Sequence, residues 1–106
     1  MGAKLLGRIL GTTLGFEHGL LTFVLMFELE VGAQGFGGMH LGGEYTDYAI
    51  RGILEATGKD RWEDLVGAIC WCEFDSDIAY GSKIIGIEAP EFIPHKGKFV
   101  LNRGNS

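Results

Sequence analysis

Three groups of residues carry chemistry. Glu17 and His18 are neighbours in GFEHG, whose flanking glycines mark a turn. A carboxylate beside an imidazole could act as a general-base pair, the working centre of a small hydrolase. His18 at the tip of a hairpin is equally a residue that serves the turn. No nucleophile has an evident base beside it, since neither Ser76 nor Ser82 sits in a recognisable elbow. The second group is GAQGFGGMHLGG (residues 32–43), with six glycines in twelve positions. Gly35, Gly37, Gly38, Gly42 and Gly43 precede an expected helix start, where backbone N–H groups and the helix dipole can hold an anion such as a phosphate. Gln34 would then offer an amide fork, Phe36 a stacking face and His40 a titratable donor, to a nucleotide or to a partner protein. No Gly-Lys-Ser/Thr follows, so this is not a P-loop. The dinucleotide fingerprint is absent too. The structural alternative is that the glycines supply positive φ and let Phe36 tuck under the sheet. The third group is His18, His40, His95, Cys70 and Cys72, the soft metal ligands. Their spacing matches no Cys-x-x-Cys or His-x-x-x-His pattern, so neither a metal nor a cofactor is expected.

These residues need elements to position them. Residues 4–14 read as a glycine-broken strand, and 20–31 (LLTFVLMFELEV) as the strongest strand, with Leu21, Phe23, Leu25, Phe27, Leu29 and Val31 on one face. GFEHG joins the two as a hairpin. Residues 32–43 read as a loop, or as an extended segment followed by a turn. Residues 44–57 read as a helix with a stripe at Ala49, Ile50, Ile53, Leu54 and Thr57, acids in the first turn, and Gly58 in the C′ position. Asp60 and Glu63 resemble a capping box for a short turn, DRWEDL. Strands follow at 67–75, 82–88 and about 97–101, with a turn at SDIAYG and a frayed tail. The order is β-β-α-β-β-(β), one helix on an antiparallel sheet, in the α+β class. On the strand 67–75, Cys70 and Cys72 share a face and Trp71 takes the other. Trp71 is a protein-contact anchor if that face is open, and core if a further layer covers it.

The chain has 106 residues, one domain's worth, with 46% hydrophobic and 22% charged residues. Eighteen glycines against two prolines point to tight turns and close backbone approaches, not to collagen or a linker. A net charge of −5 argues against direct nucleic-acid binding and against an anionic membrane surface. It suits docking onto a basic surface of another protein. The two cysteine Cα atoms would lie about 6.5 Å apart on a strand, near the limit for a bridge, so free thiols in a reducing compartment are expected. The most apolar stretch, 20–31, is too short to span a bilayer and carries Glu28 and Glu30. A soluble cytoplasmic protein is the expectation. A sheet edge in so short a chain could also pair with its twin as a homodimer.

Taken with GFEHGLLTF (15–23) and DRWEDLVG (60–67), QGFGG (34–38) resembles a family of small bacteriophage-encoded proteins. That family shows a GxEDHGIxT-like turn, QGFGGY, a helix, a WEDLxGK step and a closing IxxIG-type strand, in this order over roughly residues 12–90. Here Met39 replaces an aromatic, Ala68 a common lysine, and the turn lacks one acid. The resemblance implies a phage or prophage accessory protein and leaves its biochemical role open. By analogy with other short acidic phage proteins, the expected role is non-enzymatic: binding and inhibiting a host component such as a defence protein, in the host cytoplasm. The contact residues would be Glu17, His18, Gln34, Gly35, Phe36, Gly37, Gly38, His40 and Trp71. The alternatives are sequestration of a nucleotide signal by the glycine-rich segment, and hydrolysis by Glu17 and His18.

Overall fold

The computed structural model describes residues 3–76, 83–91 and 98–100. The turn expected over 77–81, His95 and the tail lie outside these residues. The elements are β1 (Lys4–Glu17), β2 (Leu20–Leu29), β3 (Gly32–His40), α1 (Glu44–Thr57), a 3-10 turn (Trp62–Asp64), β4 (Ile69–Phe74), β5 (Ile84–Glu88) and β6 (Lys98–Val100). Five antiparallel strands form the sheet, and the three-residue β6 extends one edge, in the order β3-β2-β1-β4-β5-β6.

The α+β class and the helix bounds match the sequence reading. The element order does not, because residues 32–40 form a third strand where a loop was expected. The physical reason is the partner strand. β2 carries large side chains opposite the glycines, and the Met26 Cε and Val24 Cγ1 atoms both stand 3.7 Å from where a Cβ on Gly35 would be. Glycine's low strand propensity is overridden by these neighbours and by the ladder to β2. Only residues 41–43 are left to join β3 to α1.

β1 and β2 run as one hairpin through a two-residue turn at His18 and Gly19, with φ values of 53° and 82°. Leu25 and Phe27 of β2, Phe36 of β3, Cys72 of β4 and Ile87 of β5 are buried on the inner face. There Phe23 meets Phe36 edge to face at 6.1 Å. The sheet curls enough that β3 and β5, separated by three strands, approach each other, while α1 packs against β4, β5 and β6. Ala49, Ile53 and Ala56 of α1 are buried. Thr57 is buried as well, and its hydroxyl donates back to the Ile53 and Leu54 carbonyls. Gly58 closes the helix in the left-handed conformation, as expected. The capping box at Asp60 does not form: Arg61 is the N-cap of the 3-10 turn and makes no side-chain cap. Of the described residues, no helix is long and apolar enough to cross a membrane.

Candidate functional site

The residues singled out in the sequence fall at two separate places. Glu17 and His18 are exposed at the hairpin tip. His40 pairs in register with Thr22, which pairs with Gly15, so the end of β3 lies near that tip. Trp71 pairs with Leu6, nine residues along β1 from Gly15, or about 30 Å at the usual rise per residue. The tip and Trp71 therefore cannot act on one ligand.

The glycine-rich segment differs from an anion cradle. Phe36 is only 2% exposed, with its ring in the core against Phe23, so no stacking face is presented to solvent. The structural alternative for Phe36 holds. Gly37 has φ +117°, and a Cβ there would stand 2.6 Å from the Phe23 carbonyl oxygen, so the backbone itself requires glycine. Gln34 pairs with Phe27 on the inner side and is half-buried. In front of α1, the Gly42 and Gly43 carbonyls accept from the Tyr45 and Thr46 N–H groups, and Glu44 and Asp47 occupy the first turn. Two acids at that end oppose an incoming phosphate.

The thiols of Cys70 and Cys72 are free and buried on the inner face. The Cys70 thiol donates to the Cys72 sulfur, and this bond followed by burial pushes its pKa well up from the ordinary thiol value. Such a thiol is a poor nucleophile and a poor ligand. Among the described residues no three His, Cys, Asp or Glu side chains gather in a way that could hold a metal.

Trp71 sits in the more promising arrangement. It is half-buried on the outer face of the sheet, the face away from α1. The register places Leu6, Met26 and Ile69 on that same face, and they are 44%, 41% and 38% exposed. Nothing lies within 4 Å of a Cβ built on Gly11 or Gly15, so that part of the face is open. Lys4, Leu5, Leu6, Glu30 and Trp71 line a shallow depression of about 400 Å³. Lys4 spans it: its ammonium is 5.9 Å from the Trp71 ring centroid and donates to Glu88 Oε1 at 2.9 Å. The Glu88 contact, partly offset by burial, raises the Lys4 pKa, so Lys4 stays charged through the physiological range. Arg8 reaches Glu28 at 3.3 Å one row further on.

Sequence reasoning named Trp71 and missed Leu6, Met26 and Ile69. The available signal was the alternation Lys4, Leu6, Arg8 against Leu5, Gly7, Ile9, which puts an apolar residue on a face that is otherwise charged. Comparison with protein-family models, curated proteins and solved structures found no match.

Proposed function

We propose that this protein works without catalysis, by binding a partner protein through the outer face of its sheet. The observation that carries this reading is Leu6 and Ile69, exposed beside Trp71, with Met26 exposed further along the same face beyond the Arg8–Glu28 row, on a face that α1 does not cover. Apolar groups ringed by charge, with an aromatic anchor near the middle, are the anatomy of a protein contact. Four carboxylates (Glu28, Glu30, Glu73, Glu88) border it against Lys4 and Arg8, which favours a partner with a basic rim. A phage or prophage setting, with a host defence protein as the target, is supported by the resemblance of QGFGG and DRWEDLVG to the phage family and by the overall charge of −5.

The test is affinity capture from host lysate, with wild type beside Leu6→Glu and Met26→Glu. These side chains are exposed, so both variants should keep the wild-type melting temperature. One stoichiometric partner is expected on wild type, at least tenfold depleted on the variants and released by salt. Capture that is absent, or undiminished by either substitution, refutes the reading.

A further inference from the structure

A second feature, on the other side of the molecule's chemistry, concerns the edge of β1. Its two ends have different neighbours. Residues 4–8 pair with β4 on the side away from β2, and the Ile9 N–H and carbonyl are bonded to Ala68 and Gly67. Among the described residues, 11–17 pair with β2 alone. The bulge at Leu10 shifts the register between these halves and reverses which residues turn their backbone outward. Before it, Ile9 and Ala3 direct N–H and carbonyl groups toward β4. After it, Gly11, Thr13 and Gly15 face the same β2 residues' line as Arg8 does, opposite Met26, Val24 and Thr22. Thr12, Leu14 and Phe16 therefore point their N–H and carbonyl groups to the open edge.

The side chains on this edge are unguarded. Leu14 is 43% exposed and Phe16 80%. Residues 10–16 contain no lysine, no proline and no charge, the devices that ordinarily block edge-to-edge pairing. Leu10 also stands exposed beside the bulge.

We propose that this edge is a dimer interface, at which a second copy of the chain adds its own residues 11–17 in antiparallel register about a two-fold axis at Leu14. The edge is complementary to itself in that register. Leu14 meets Leu14 of the second copy, and Thr12 meets Phe16. All of these residues direct backbone donors and acceptors outward, so the three pairings form six hydrogen bonds. The inner side of the junction joins Leu14 and Phe16 of both copies into one apolar strip. The outer side pairs Thr13 with Gly15 and leaves no bulk to clash. No charge falls within the paired segment until Glu17 meets Gly11, so the net charge of −5 on each copy opposes the contact only at long range. This is an isologous, closed arrangement, and it leaves the outer face around Trp71 free.

The experiment is sedimentation velocity on the full chain from 1 to 200 μM, together with Leu14→Cys, Thr13→Cys, Leu14→Pro and Phe16→Lys. Wild type is expected to move from one to two copies over this range. Leu14→Pro removes an N–H that β2 does not use, and Phe16→Lys alters a solvent-facing side chain. Both should stay monomeric, at least tenfold weaker in association. Leu14→Cys, oxidised with diamide, should cross-link to its twin, because paired Cα atoms about 5.5 Å apart lie within reach of a disulfide. Thr13→Cys should not cross-link. A wild type monomeric at 200 μM overturns the proposal. So does a dimer that Phe16→Lys leaves intact, or cross-linking at Thr13→Cys equal to that at Leu14→Cys.

Discussion

Gly37 shows how one residue's backbone fixes what its neighbours can be. Its φ of +117° is outside the range that side-chain-bearing residues adopt readily, and a methyl group there would be driven into the Phe23 carbonyl and ring. Gly37→Ala should therefore cost about 2–4 kcal/mol, read as a fall in the urea midpoint with unchanged slope. A loss under about 0.5 kcal/mol would mean that β3 is not held as described. Cys70 has a different signature, in pH. Its folded thiol pKa is raised by the bond to Cys72 and by burial, while in the unfolded chain the thiol ionises near 9.0. The folded state keeps a proton that the unfolded state releases, so stability is full below about pH 9 and falls as pH rises above it. The slope should approach about 1.4 kcal/mol per pH unit for one proton. Denaturation from pH 7 to 10.5 should show this loss, and Cys70→Ala should flatten it; an identical slope in the variant would show that another group is responsible.

At the scale of elements, the β1–β2 hairpin depends on its turn. His18 takes φ 53° and Gly19 φ 82°, the positive pair that a tight two-residue hairpin turn requires. Histidine tolerates this conformation less well than asparagine, and its exposed side chain at the tip makes no contact that the turn needs. His18→Asn should raise stability by about 0.5–1 kcal/mol, or a few degrees in Tm. An unchanged or lowered Tm would indicate that the His18 side chain does something the turn does not require. The hairpin was legible because its alternation over 20–29 and its turn residues are both local signals. β3 was not legible, because six glycines in twelve positions remove the side-chain pattern by which strands are recognised. The pairing that makes it a strand is supplied by Val24 and Met26, on a neighbour.

At the scale of the whole molecule, one helix and one curled sheet enclose a single core, and two apolar surfaces stay outside it. Among the described residues no helix covers the outer face around Trp71, because α1 packs on the other side, toward β4, β5 and β6. Among the described residues the edge of β1 is open beyond Ile9 because β4 is short: it pairs with residues 4–8, while β1 continues to Glu17. The two surfaces are distinct, so a variant at Phe16 and a variant at Leu6 separate self-association from partner capture.

Local chemistry in the sequence was enough to define the helix Glu44–Thr57, its glycine stop, the hairpin, the shared face of Cys70 and Cys72 and the α+β class, since periodicity and turn residues act over a few positions. The glycine-rich segment could be read two ways, and only the packed structure chose: Phe36 turned inward because the core had room for an aromatic ring beside Phe23. The same holds for Trp71, whose alternation placed it on one face without saying whether anything would cover that face. Burial is a property of strand order, of the curl of the sheet and of where the one helix lands, and these are set by contacts between residues far apart in the chain.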